Sequence, residues 1–250
     1  MMVVILTPVD GIIRWLPRGF SCSRVNTGRR IVFWKGNRKY SRLTTAKNNF
    51  EHLLSVASSL PVQALPDLIR AMVRPLQSDF LLAVAEEGTD ARPDLTPGEF
   101  FFNAITEVQD YSSMKAGEVN PEDYPLSLAS DMVLPWPWSL SRYIDNVSRI
   151  GTAKGRVWQQ DRTNHYVELW LPWRIGFVRG GNHSITAGIL AGEGTLIPEH
   201  VWDMSFLFER ISTDGLYWYV DGKKTEDVKS WRAAAIFEAG RLMTSRPDDR

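Results

Sequence analysis

Apolar positions recur at helical spacing through residues 44–84. Phe50, Leu53, Leu54 and Ala57 stand at i, i+3, i+4 and i+7, and Leu68, Ile69, Met72 and Val73 form a second stripe. Pro75 predicts an end to that second helix, because proline lacks the backbone donor and collides with the preceding turn; Phe80 to Val84 then reads as a third. Glu86 to Pro97 is polar and broken by Gly88, Pro93 and Pro97, which predicts a loop. Thr96-Pro97-Gly98-Glu99 has capping-box spacing, so a helix with Phe102, Ile105 and Val108 on its face is expected. These stripes predict core, in a helical subdomain or as a cover for the sheet that follows.

After residue 125 the period shortens. Leu134 to Trp138 is extended, since each proline disfavours helix in the residue before it. Ser139 predicts the start of a helix bearing Leu140, Tyr143, Ile144, Val147 and Ile150, closed by Gly151. Val157 to Gln160 and Tyr166 to Trp170 read as strands; Val167 and Leu169 share one face, with Tyr166, Glu168 and Trp170 on the other. Ile175, Phe177 and Val178 mark a buried strand, and Ile185 to Leu190 a helix broken by Gly192 and Gly194. Leu196 to Met204 is a further strand or short helix. Leu216 to Val220 is a strand ended by Asp221-Gly222, and a last helix runs from Thr225 through Trp231, Ile236 and Leu242. The pattern predicts an α/β (α+β) protein in four segments: 1–43, 44–125, 126–244 and a polar tail, 245–250.

Charge changes the picture mainly at the N-terminus. Formal net charge is zero over 250 residues, yet residues 1–50 hold ten Lys/Arg against the single acid Asp10. Residues 51–125 hold four basic and thirteen acidic residues. The first segment, in which Arg30 to Trp34 reads as a strand, is either a polyanion-binding arm or a basic face docking on its acidic neighbour. The lone Cys22 leaves no internal disulfide and no Cys-rich zinc site, which fits a reducing cytoplasm. Nothing is long and apolar enough for a membrane span, so no membrane partner is expected. Eight of ten tryptophans fall between Trp136 and Trp231, which predicts that the C-terminal half is densely packed.

The candidate chemistry lies in Gly180-Gly181-Asn182-His183-Ser184. A strand entering a helix through paired glycines brings free backbone N–H groups to a helix N-terminus, a place for an anion. Gly180 and Gly181 allow positive φ and leave room for a phosphate. Asn182 is expected to cap the helix, and His183 to point at what binds. The same residues also fit an ordinary strand–turn–helix corner. Lys154, Arg156, Arg174 and Arg179 would add cations, or are surface residues. The loop Asp161 to His165 would bring His165 to face His183, or is a solvent turn. Trp136, Trp138, Trp170 and Trp173 either stack a base or belong to the core. No Walker A loop, Gly-x-Ser-x-Gly elbow or His-Glu-x-x-His occurs.

The turn resembles the signature of the ParB/sulfiredoxin superfamily, in which a strand leads into Gly-Gly-Cys-His-Arg or Gly-Glu-Arg-Arg and a helix of small residues. Both glycines and His183 agree; Asn182 replaces the redox cysteine, which excludes sulfiredoxin chemistry, and Ser184 replaces the arginine. The likeness spans roughly residues 131–210 in element order. It implies a ParB/sulfiredoxin-like domain holding a nucleotide or nucleic-acid phosphate, DNA included, on Gly180, Gly181, Asn182 and Ser184 with Arg174, Arg179 or Lys154. If catalytic, the reaction implied is phosphodiester or nucleotide hydrolysis. His183 would act as acid/base or phosphate ligand with His165 and Glu168, and Glu168 or Asp203 would hold Mg2+ or another divalent ion. The superfamily includes hydrolases and nucleases of plasmids and other mobile elements. The alternative is a non-enzymatic interaction protein that keeps the fold without the chemistry.

Overall fold

Val167 and Leu169 on one side of a strand and Trp170 on the other each meet their own hydrophobic cluster, so the described residues stack helices on both faces of a sheet. The computed structural model describes residues 38–101 and 117–245. They lie within one unit, Arg38–Arg250. The expected strand Arg30 to Trp34, the helix face of Phe102, Ile105 and Val108, and residues 246–250 fall outside the described residues.

The helices are α1 (Arg38–Ser59), α2 (Leu65–Glu87), α3 (Leu140–Arg149), α4 (Asn182–Ala191) and α5 (Trp231–Ser245). The strands are β1 (Glu118–Val119), β2 (Leu126–Ser127), β3 (Met132–Leu134), β4 (Val167–Leu171), β5 (Ile175–Val178), β6 (Thr195–Leu196), β7 (His200–Asp203), β8 (Ile211–Thr213), β9 (Tyr217–Val220) and β10 (Lys223–Asp227). The central sheet runs β1-β7-β4-β5-β3, with β3 parallel to β5 and β4 parallel to β7, while β4–β5 and β1–β7 are antiparallel. The chain is therefore mixed α/β, with helices ahead of the sheet. α3 and α4 cover one face, over Val133, Val167, Leu169, Val178 and Val201. α1, α2 and α5 cover the other, where Phe50, Val73, Phe80 and Phe237 share a cluster with Trp170, Phe177 and Trp202.

Three expectations fail for identifiable reasons. α2 runs unbroken through Pro75, which lies inside the helix. Proline there costs about 3 kcal/mol. The exposed Pro75 is flanked by the buried side chains of Met72, Val73, Leu76 and Phe80, each worth about 1.5–3 kcal/mol, so burial wins. Val157 to Gln160 forms no strand: Glu193 Oε1 accepts the Trp158 N–H at 2.9 Å, and the indole Nε1 donates to Ser184 O at 2.9 Å, docking the residue on α4 instead. Thr225 lies in β10, because Asp221 (φ 50°) and Gly222 (φ 73°) build a hairpin turn; positive φ at both central residues matches the twist of paired strands. The last helix starts at Trp231, and Ser230 Oγ accepts from Ala233 N at 3.3 Å as its cap. Only half of the Thr96 to Glu99 box forms: Glu99 Oε2 accepts from Thr96 N at 3.4 Å and from Thr96 Oγ1 at 2.7 Å, while Glu99 N donates to the Thr96 carbonyl, on a short 3-10 turn at Pro97–Glu99.

Close packing sets the first expected outcome. A Cβ on Gly240 in α5 would lie 2.1 Å from Trp173 Nε1 and 2.7 Å from its Cδ1. Alanine gains about 1 kcal/mol of helix propensity over glycine, but overpacking costs about 1–3 kcal/mol. Gly240→Ala should therefore lower stability in urea denaturation; a stabilised variant would contradict this packing.

Candidate functional site

β3 and β5 are neighbouring parallel strands, and each feeds a helix: β3 leads to α3 through Pro135 to Ser139, and β5 to α4 through Arg179 to Gly181. The two helix N-termini consequently lie side by side beyond the carboxyl ends of a parallel pair. That is where ligands collect in sheets of this kind, and where the partial positive charge of each helix is concentrated.

His183 joins them. It is 8% exposed, and Nε2 accepts a hydrogen bond at 3.1 Å from the backbone N–H of Ser139, the α3 N-cap. An accepting Nε2 leaves the proton of the neutral ring on Nδ1. Trp138 lies edge to face on the imidazole at 5.4 Å, and the Arg142 guanidinium stands 5.3 Å over the Trp138 ring. Burial holds the His183 pKa below its ordinary value, and the Arg142 charge adds to that. Trp138 is 43% exposed, whereas Trp170 and Trp173 belong to the core and Trp136 is half-buried with Nε1 on Ala91 O.

The glycine turn is built differently from expectation. Gly181 (φ 75°) is the N-cap of α4 and Asn182 is the first helical residue, so Asn182 is not the cap; its Oδ1 accepts from Trp136 N at 2.7 Å. A Cβ on Gly181 would come within 2.2 Å of His165 Cδ2, and one on Gly180 within 2.6 Å of Tyr166 Cδ2 and 2.7 Å of Asn164 O. The room that the glycines leave is thus filled by the chain's own loop, whose Tyr166 O accepts from Arg179 N and Gly180 N. His165 belongs to that loop. It is 4% exposed, stacks on Trp158 at 5.0 Å, and accepts Asp161 N on Nδ1 at 2.9 Å. Burial lowers its pKa too, outweighing nearby Asp161. His165 and His183 therefore flank Gly181 along the chain's fold, each tied to its own backbone N–H rather than to the other.

The remaining predicted residues are engaged locally. Arg174 pairs with Asp131 at 3.2 Å and donates to Pro125 O at 2.8 Å; Arg179 pairs with Glu168 at 3.0 Å. Lys154 donates to Val147 O and Ile150 O at 2.6 and 2.7 Å, closing the C-terminus of α3. Ser184 is half-buried, and its carbonyl holds the Trp158 indole. Glu168 pairs with His200 and Asp203 with Leu171 across β4–β7, which puts the two carboxylates three residues apart, or about 10 Å along the strands. They are not set to share one ion. Arg142 is the residue at the paired N-termini that sequence reasoning did not single out, and Ser139 was read only as a cap; an arginine three residues after a capping serine was the available signal.

Two buried neutral imidazoles dictate a pH dependence. The unfolded chain protonates histidine near 6.5, while the fold holds both pKa values lower. Their contribution is complete above pH of about 6.5 and is lost as pH falls from there toward the folded values. The melting temperature should fall over that window, with a shallower slope in His183→Ala. At pH 7.5 that variant leaves the Ser139 N–H unpaired and should lose about 1–3 kcal/mol. Unchanged stability and slope would show that His183 does not hold the helices together.

Comparison with known proteins adds one match. A family profile described as a family of unknown function (DUF6710) matches residues 34–249. Neither the curated proteins nor the solved structures compared contain a match. With the match covering most of its length, the chain belongs to the DUF6710 family.

Proposed function

We propose that this protein is a ParB/sulfiredoxin-like module that binds a nucleotide or nucleic-acid phosphate where the N-termini of α3 and α4 meet, and that it does so without hydrolysing it. The observation that carries this reading is the His183–Ser139 hydrogen bond, which holds two helix N-termini together beyond parallel β3 and β5. The partial positive charges at the two helix N-termini attract an anion and the two dipoles add, while on the α3 side the Leu140 and Arg142 N–H groups are taken by Thr89 Oγ1 and Ser139 Oγ. Arg142 supplies a full charge on the α3 side, in place of the arginine that Ser184 replaces in the superfamily's pattern. Trp138, with an exposed ring beside that charge, offers a face on which a base could stack. The strand, the two glycines and the helix beginning at Asn182 support the likeness to that superfamily in element order.

Binding without hydrolysis is favoured because both candidate histidines already accept backbone hydrogen bonds. A general base must have its nitrogen free within reach of the proton it takes. The Nε2 of His183 and the Nδ1 of His165 are occupied by Ser139 N and Asp161 N.

The test is calorimetric titration with ATP, pyrophosphate and a short single-stranded DNA, with and without magnesium, beside an assay for released phosphate. Binding is expected to weaken about tenfold in Arg142→Ala and to weaken further as salt is raised, with no phosphate released. Absence of binding to all three probes would overturn the site. Turnover that depends on His183 would overturn its non-catalytic character.

A further inference from the structure

A cleft of about 330 Å³ opens beside the His165 loop, between residues 120–122, 160–166 and 197–199. Its polar groups divide into those already satisfied and those that are not. The Gln160 amide exchanges two hydrogen bonds of 2.8 Å with the backbone of Ile197, and the Tyr166 hydroxyl donates to Thr163 O at 2.7 Å. Arg162 and Glu122 satisfy one another in a two-point pair at 3.0 and 3.4 Å, both exposed.

Two groups are left over. Asp161 N–H donates to Nδ1 of His165, so the neutral ring carries its proton on Nε2, and that N–H has no hydrogen-bond partner among the described residues. His165 as a residue is 4% exposed and lines this cleft. The Glu199 carboxylate, exposed on the same wall, likewise has no hydrogen-bond or ion-pair partner among the described residues. Between them the cleft presents an apolar surface of Pro121, Ile197 and Pro198.

We propose that this cleft binds a free α-amino acid with an apolar side chain. The ligand carboxylate takes the Arg162 guanidinium and the His165 Nε2–H. The ammonium takes the Glu199 carboxylate, with Glu122 beside it once Arg162 turns to the ligand. The side chain lies along Pro121, Ile197 and Pro198.

Charge complementarity selects this class over its neighbours. A phosphate or other plain anion would meet two carboxylates and a single guanidinium, and like charges brought together without water are costly. A plain amine would satisfy Glu199 but leave the His165 donor without an acceptor. A zwitterion supplies both ends, and its two ends exchange with the Arg162–Glu122 pair without changing the net charge of the cleft. This site is separate from the paired helix N-termini and does not rest on the phosphate-binding reading.

The experiment uses the full chain. Thermal shift against each of the twenty L-amino acids at roughly 10 mM, a level that reveals millimolar binding, is followed by calorimetry on the apolar ones. Three matched probes then separate the ends: L-leucine, L-leucinamide, which lacks the carboxylate, and 4-methylpentanoate, which lacks the ammonium. Binding of an apolar amino acid is expected, with a loss of at least about tenfold for each one-ended probe and in Arg162→Ala and Glu199→Gln, as charge-assisted contacts require. Both substituted side chains are exposed, so the variants should melt as the parent does. No amino acid binding, or one-ended probes and variants binding as tightly as the parent pair, would overturn the assignment.

Discussion

A buried imidazole between two helix N-termini has one comfortable charge state. Protonating Nε2 of His183 would place a cation in a half-apolar site, against the N–H of Ser139, near the positive ends of α3 and α4 and beside Arg142. All of these oppose the charge, so the ring stays neutral and accepts. That single acceptor fixes where α3 begins relative to α4, and with it the positions of Trp138 and Arg142. The neighbouring Asn182 Oδ1 does the same for Trp136 N, so the extended stretch between β3 and α3 is pinned at two points to the start of α4.

From the other side, the loop of Asn164, His165 and Tyr166 closes on the two glycines. Here backbone proximity, rather than ligand space, demands glycine: any Cβ at Gly181 would penetrate the His165 ring. The same loop forms a wall of the cleft of Arg162 and Glu199, so His165 sits between the glycine turn and the place assigned to an amino acid. Its Nδ1 bond to Asp161 N fixes the tautomer that turns a donor outward.

Much of this was legible in the sequence because it is local. The apolar strand, the paired glycines and the small-residue helix predict a strand to Val178 and a helix from Asn182, and both are present. Ser139 as a cap and the faces of β4 follow from spacing alone. What escaped depends on partners far along the chain. Asn182 looks like a cap until Trp136, 46 positions away, takes its oxygen. Val157 to Gln160 has strand composition, yet Glu193 and the Ser184 carbonyl claim Trp158. Pro75 ends a helix in isolation, but core burial on both sides of it decides otherwise. The arginines flanking the turn had two readings in the sequence, as cations of the site or as surface residues, and the acids opposite them, Asp131 and Glu168, decide where they point.

The measurement closest to the centre of this account is the 15N spectrum of the imidazoles in the folded protein at neutral pH. His183 should show a non-protonated Nε2 and a protonated Nδ1, with a hydrogen-bond correlation from the Ser139 amide to Nε2, and a titration midpoint below its ordinary value of 6.5. A proton on Nε2, or a His183 with no link to Ser139 and a midpoint not lowered from its ordinary value, would contradict it.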